Sequence, residues 1–580
     1  MSLNPTSSSP SRARLATRLQ LEEVAAAMDA TLRRAATTAS IGRHGSTAAG
    51  FHAPTGSLLL GGRESHPLLM EAAAEALAFL VKAHAAAGRC FASGETYGTN
   101  DPGCNAAGLE DLILAAPVVR GEQLLGFVAL TASHPSLGHA TLAPVERLRR
   151  EGIVLPWMRL GSPGRPHGDI MSLLVANTDD PAAFRENLAA HIHALDLGRT
   201  ALEDLLDREG PEILSELSEV SVVGARRALS QIFARLEAEE IGGRTARLAV
   251  RIRRDGDPLP VRLEPIDPDH RFDLTPALAR AAVRAGFREV LSAESPTLAI
   301  LGGLTETLSI ETALDDPPDS RPAGEARFAE AQAVLSTVLA AFAGVLSHLT
   351  HAADAACLLM DLRGQRDDGS RFRARLGLPG GLGASVFGDG LTYSTPPFAS
   401  HRTRALEEIE RTLPIRIHRL QLLPDSGGPG QYRGGLAAAL EIELLEGQAE
   451  ADLLIPERAT GLQGGLRGAD ARAIHITLRH GTREIREPGR VAIHLEAGDR
   501  LLLEGAGGGG WGIPFQRSFM RLDEDVRSGL IGPDQAKNRY GLILQPGSLE
   551  KDDYLTYRVR HYLLSMLTVE DIIAGEELLD

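Results

Sequence analysis

Apolar residues at Leu19, Val24, Met28 and Leu32, with alanines between them, recur at helical spacing and predict an amphipathic helix from about Arg14 to Ala39. Residues 66–87 read as a second helix. Beyond it, Leu112–Val119 and Gln123–Leu130 are short apolar runs joined by Arg120-Gly-Glu, which predicts a hairpin of buried strands. The stretch from about Pro181 to Glu240 is largely helical in pattern, and Ala246–Arg253 alternates as a strand that ends at Asp255-Gly256. The strongest helix is expected over about 325–348, where Phe328, Ala331, Val334, Leu335, Val338, Leu339, Phe342 and Val345 supply a broad apolar face.

Residues 315–324 and 365–383 mix Asp, Gly, Arg, Ser and Pro and read as loops, each a candidate boundary. After Pro414 the texture changes to short alternating strands separated by glycine, over 415–423, 437–445, 473–478, 491–495 and 500–503. That predicts an all-β layer, a sandwich or an open barrel. No repeat of 20–50 residues is visible, which argues against a solenoid. The expected class is α+β with several units: a loose tail over 1–12, an N-terminal α/β unit over 13–240, a central α/β unit over 241–385, a Gly-rich β unit over 386–541 and a helical extension over 542–580. In that extension Val559, Tyr562, Leu563 and Met566 are expected to form an apolar face that packs on the rest of the chain.

Composition narrows the possibilities. At 580 residues the chain exceeds what a single core fills, which fits the several units. A net charge of −16 opposes nonspecific binding to a phosphate backbone, so neither nucleic acid nor, without an apolar run of about 18 residues, a membrane is an expected partner. Three cysteines, Cys90, Cys104 and Cys357, without Cys-x-x-Cys spacing indicate neither a disulfide framework nor a thiolate zinc site, and the Ser/Pro-rich start lacks a secretory layout. A cytoplasmic location is the expectation. Neither Gly-x-Ser-x-Gly nor His-Glu-x-x-His occurs, so a nucleophile elbow and a zincin site are unsupported. Cys104, beside Asn100-Asp-Pro102, has no base in sequence to activate it.

Two glycine-rich segments stand out. Asp425-Ser-Gly-Gly-Pro-Gly reads as a tight loop between strands, with a ligand-lining loop as the alternative. Ala506-Gly-Gly-Gly-Gly-Trp-Gly512 has the free amides of an anion-binding nest but lacks the Lys-Ser/Thr of a P-loop, and reads first as a close-packed strand end. Leu423–Gly435, Gly461–Gly468, Ala497-Gly-Asp499, Gly507–Gly512, Asp525–Gly529 and Ala536–Gly541 occur in one order and spacing. In that combination the chain resembles the hydantoinase B/oxoprolinase family. The likeness extends upstream through Gly388-Asp-Gly390, Arg402–Pro414, Val175-Ala-Asn177, Ile153–Leu160, Asn100-Asp-Pro102 and Asp29–Arg34.

The resemblance implies one partner of an ATP-dependent assembly. A hydantoinase A-type ATPase subunit phosphorylates the substrate, a cyclic amide or, in the carboxylases, a ketone, and the B-type subunit completes the reaction. It also implies a divalent metal, zinc or manganese, held in the N-terminal half by two aspartates and two histidines. Aligned on Asn100-Asp-Pro102, Gly108 stands where the family has a His, Asp111 where it has an Asp, Ser133 where it has its later His, and Gly45 near its first Asp. One ligand of four stays in place. A one-residue slip would bring in His134, and His44, His52 or His139 could stand in, so Asp111 and His134 are the candidate metal residues. The segments aligned with substrate-side elements, Arg262–Pro268 and Ala323–Phe328, have also changed. The expectation is a B-type subunit with a degenerate site, serving to build the complex with an A-type ATPase and possibly a second B-type chain. It would carry no cofactor of its own, with ATP on the partner. An active enzyme with ligands rearranged around Asp111 and His134, and a standalone binding protein, are the alternatives.

Overall fold

The computed structural model describes residues 9–38, 41, 46–134, 137, 152–162, 165–178, 180–236, 238–270, 272–294, 301–314, 326–343, 345–399, 405–456, 459–461, 468–478, 483–485 and 489–566. His44, His139 and the loop expected over 315–324 lie outside the described residues. The chain divides into two compact units, Met1–Ile241 with Arg251–Leu335, and Gly242–Val250 with Ser336–Asp580.

The first unit opens with helix α1 (Ser9–Ala35), which begins earlier than its apolar spacing predicts. Then come strands β1 (Thr47–His52) and β2 (Leu58–Gly61), helix α2 (Pro67–Ala86), and strands β3 (Thr96–Thr99), β4 (Asp111–Arg120), β5 (Gln123–Ser133), β6 (Met158–Ser162) and β7 (Arg165–Pro166). They form a sheet of order β2-β1-β5-β4-β3-β6-β7. The expected hairpin is β4–β5, paired antiparallel from Asp111↔Ser133 to Arg120↔Gln123, and Gly121 supplies the positive φ of 60° that its two-residue turn needs.

Alternation along this hairpin builds two cores, because successive strand side chains point to opposite faces. Leu112, Leu114, Ala116, Val128, Leu130 and Ala132 join Met28 and Leu32 of α1 and Leu195 and Leu202 of helix α3 (Pro181–Glu209). Ala115, Phe127 and Ala129 face Leu77 and Leu80 of α2, and Ile113 faces Ala73 and Ala76. The sheet is thus the middle layer between α1/α3 and α2.

Helix α4 (Glu212–Phe233) follows, then β8 (Glu240–Arg244) and β9 (Leu248–Arg253) where the two units part, β10 (Leu259–Pro265), helix α5 (Pro276–Glu294) and β11 (Leu308–Thr312), which pairs parallel to β10. Helix α6 spans Ala326–Ala343. α5 carries Arg280, Arg284 and Arg288 onto Glu71 and Glu75 of α2, with Arg284 Nε 3.0 Å from Glu71 and Arg280 Nη2 2.6 Å from Glu75.

The second unit contains the all-β layer, and this is a sandwich of two open sheets rather than a barrel. One sheet has the order β13-β12-β16-β19, from β12 (Leu358–Gln365), β13 (Arg371–Leu378), β16 (Gln448–Ile455) and β19 (Gly489–Glu496). The other has the order β14-β15-β20-β17-β18, from β14 (Ile415–Leu422), β15 (Ala438–Leu444), β17 (His475–Leu478), β18 (Arg483–Ile485) and β20 (Arg500–Glu504). Met360, Leu362, Leu376 and Leu453 of one sheet share a core with Leu440, Ile442, Leu501 and Leu503 of the other. The loop expected over 365–383 is corrected in its middle: 366–370 and 379–383 are irregular, but Arg371–Leu378 is a strand. Its arginines face outward while Phe372, Leu376 and Leu378 are buried, a pattern that composition alone makes look polar.

The glycine segments pack backbone on backbone. A Cβ at Gly434 would lie 1.8 Å from Gly508 O, one at Gly508 1.9 Å from Leu382 O, and one at Gly435 2.0 Å from Leu391 O. The amides of Gly508, Gly509, Gly510 and Trp511 donate to the carbonyls of Gly435, Ala353, Ala469 and Tyr432 at 2.9–3.0 Å. They are spent on the fold, which makes 506–512 the close-packed strand end and not an anion nest. Short helices α7 (Phe519–Arg527) and α8 (Pro533–Tyr540) follow, then α9 (Asp553–Met566). α9 docks on its own chain, but through Val559, Arg560 and Leu563 against Gly541 and Thr556 against Ile543, whereas Tyr562 and Met566 point to solvent.

Candidate functional site

The site expected from sequence surrounds the loop between β3 and β4. Asn100 fixes that loop: its Nδ2 donates to Leu109 O at 2.7 Å and Ile153 O at 2.9 Å, and its Oδ1 accepts from Leu155 N at 2.7 Å. Asp101 caps the turn Pro102–Cys104 through Gly103 N at 2.8 Å. Burial, with Asp101 nearby, pushes the Cys104 thiol up, the opposite of what a nucleophile needs. The polar residues of Asn100-Asp-Pro102 hold a scaffold.

Asp111 begins β4 and is buried, and its Oδ2 accepts a hydrogen bond from Nη2 of Arg327, also buried, in the first turn of α6. The guanidinium lies over the Phe328 ring, 4.6 Å from its centroid, and Phe328 in turn meets the His66 ring at 5.5 Å. It also fills the space above Gly108. A Cβ at Gly108 would come within 2.5 Å of Arg327 Cζ and Nη1, and within 2.9 Å of Nε. A side chain at position 108 and this guanidinium therefore exclude one another.

His134 ends β5 on the other side of the sheet. Asp111 is register partner of Ser133, and side chains alternate, so Asp111 and Ser133 share the α2 face while His134 follows Leu130 and Ala132 onto the α3 face. There its Nε2 lies 3.1 Å from His191 Nδ1, and its ring packs edge-on against Phe184. His191 Nε2 lies 2.8 Å from Leu130 O, so it carries the proton, and His134 Nε2 donates to the bare Nδ1 of His191. Burial drives the His134 imidazole well below its usual range, with His191 adding to it.

The structure therefore does not bring the two predicted residues to one point. A one-residue slip cannot deliver His134 to Asp111, because the strand period of two turns it to the opposite face. His52 is buried in β1 with Nδ1 3.0 Å from Gly56 O. Among the described residues no three of His, Cys, Asp and Glu converge as a metal requires. The buried Nδ1 of His134, without a hydrogen-bond partner, is one bare donor, and structural or catalytic zinc takes at least three protein ligands. With a fixed cation already on Asp111, these residues do not fit a resident divalent metal.

Sequence reading missed Arg327 and His191. Arg327 lies in Ala323–Phe328, the segment whose divergence was visible, but nothing local tied it to Asp111. His191 sits on the apolar face of α3, where a lone imidazole reads as core.

The match to known proteins runs along most of the chain. Residues 16–514 fit the Hydantoinase B/oxoprolinase family. The chain belongs to that family. The B-type subunit of a putative D-/L-hydantoinase from Pseudomonas sp. is 23% identical over 504 residues, covering 80% of this chain and 83% of the relative. The beta subunit of the Pseudomonas jessenii caprolactamase is 25% identical over 505 residues, covering 81% and 86%. Among solved structures, nucleotide-free acetone carboxylase superposes with a TM-score of 0.78 at 14% identity, covering 97% of this chain and 84% of the other, which shows a shared fold. This chain is mixed α+β. Among its described residues no helix is long and apolar enough to cross a membrane.

Proposed function

We propose that this chain is a B-type subunit of an ATP-dependent amidohydrolase or ketone carboxylase assembly, that it has no catalytic metal of its own, and that it serves to build the complex with a hydantoinase A-type ATPase. The observation that carries the reading is Arg327 on Asp111, the one in-place residue of the expected ligand set, with His134 turned to the far face. Both Pseudomonas relatives are named as single subunits of larger enzymes, which supports partnership. Retention of the glycine framework beside the loss of ligands supports assembly over chemistry. Substrate phosphorylation, and with it ATP, belongs to the partner.

Metal analysis and co-purification at native expression test the two halves. The expected result is no stoichiometric zinc or manganese on this chain, together with recovery of an ATPase subunit. One tightly bound metal per chain that disappears in Asp111→Ala overturns the non-catalytic half. A chain that runs as a homo-oligomer with no ATPase partner overturns the other.

A further inference from the structure

We infer that Arg327 is a built-in cation that has taken over the electrostatic task of a divalent metal at Asp111. The inference rests on the reading above and concerns how the fold tolerates the loss of the ion. Asp111 lies at the start of a central strand on a dehydrated face, with 1% of its side chain exposed. A carboxylate there is costly unless a positive charge accompanies it. In this chain the charge comes from α6, where Arg327 has 4% side-chain exposure.

Three features make the substitution more than an ordinary ion pair. The atoms nearest a Cβ at Gly108 all belong to the Arg327 guanidinium, so the glycine is the space into which the cation fits. Ser133, the register partner of Asp111, presents a small side chain on the same face. Arg327 stands in the first turn of a helix, where a cation opposes the helix dipole, and the neighbouring carboxylate together with the Phe328 ring offsets this. Two small residues thus stand where the resemblance places imidazoles, and the guanidinium fills the room above one of them, Gly108.

The inference makes the exchange reversible. The triple variant G108H/S133H/R327A removes the guanidinium and sets two imidazoles beside Asp111, three ligands of the types zinc takes. The expected result is about one zinc per folded chain, with a melting temperature that rises on zinc addition and falls back with chelator, while the wild-type chain does neither. A triple variant that is folded by circular dichroism and binds no more zinc than wild type overturns the inference.

A second measurement covers a triple variant that fails to fold. Melting temperatures of D111N, R327A and D111N/R327A form a double-mutant cycle. R327A is expected to melt several degrees below wild type, and adding D111N to it should recover most of that loss. Additive effects in the cycle overturn the inference while leaving the functional reading intact. Stoichiometric metal on the wild-type chain, lost in D111A, is the separate result that removes the functional reading.

Discussion

Burial holds the imidazoles of His52 and His191 neutral, each pushed down to about 4 against the carbonyls of Gly56 and Leu130 that would raise it. In the unfolded chain both titrate near 6.5, so between about pH 6.5 and 4 the unfolded state binds more protons than the folded one. Stability of the first unit is therefore complete above pH 6.5 and falls as pH drops toward 4. At pH 5 the two together cost about 4 kcal/mol. Thermal melts at pH 7 and pH 5 should show this loss, and His191→Gln, which keeps a donor for Leu130 O, should flatten the slope. Equal melting temperatures at the two pH values would refute it. At this scale the sequence was half legible. Asp111 could be picked out from a motif, but the residue that decides its role lies 216 positions away, and the face on which His134 points depends on where a strand ends.

At the scale of elements, the contact between α2 and α5 is ionic where a helix pair is ordinarily apolar. Burial alone would raise the Glu71 carboxyl, yet Arg288 and Arg284 hold it below the ordinary value, and both of its oxygens are bound. Glu71→Gln keeps the shape but leaves two buried guanidinium groups short of charge, and is expected to destabilise the first unit by about 3–5 kcal/mol, read by denaturant titration. A loss below about 1 kcal/mol would mean the network carries little. The same network explains why α5 is absent from the elements read in sequence. Arg280, Arg284 and Arg288 recur every four residues among buried apolar neighbours such as Val283, Phe287 and Leu291, and these charges interrupt the apolar stripe by which a helix is read. The β4–β5 hairpin was legible for the opposite reason, since its apolar runs and its glycine turn agree. β13 was missed because outward arginines masked its alternation.

For the whole molecule, the coarse plan was readable and the joins were not. Strands after Pro414 were expected from texture, but β12 and β13 share a sheet with β16 and β19 through the β12–β16 pairing, from Leu359↔Leu454 to Gln365↔Gln448, which no local pattern encodes. The glycines carried the family because they are bound by geometry rather than chemistry. Gly508→Ala sets a methyl 1.9 Å from Leu382 O and 2.7 Å from Gly383 N, backbone atoms that cannot turn aside. It is expected to abolish native folding of the second unit, seen as loss of its protease-resistant fragment, and a normally resistant fragment would contradict the close packing.

The backbone hub has a consequence for the order in which the protein is made. Four segments meet there, near residues 381–383, 427–435, 468–469 and 506–512, and each donates or accepts hydrogen bonds from another. Closing such widely spaced loops costs chain entropy before any contact repays it. On the ribosome, the hub of the β sandwich is therefore expected to stay open until Trp511 has emerged to meet Tyr432. The first unit is under no such delay, since its last element begins at Ala326. The interval between the two is when this polypeptide most needs a chaperone, or a partner already waiting.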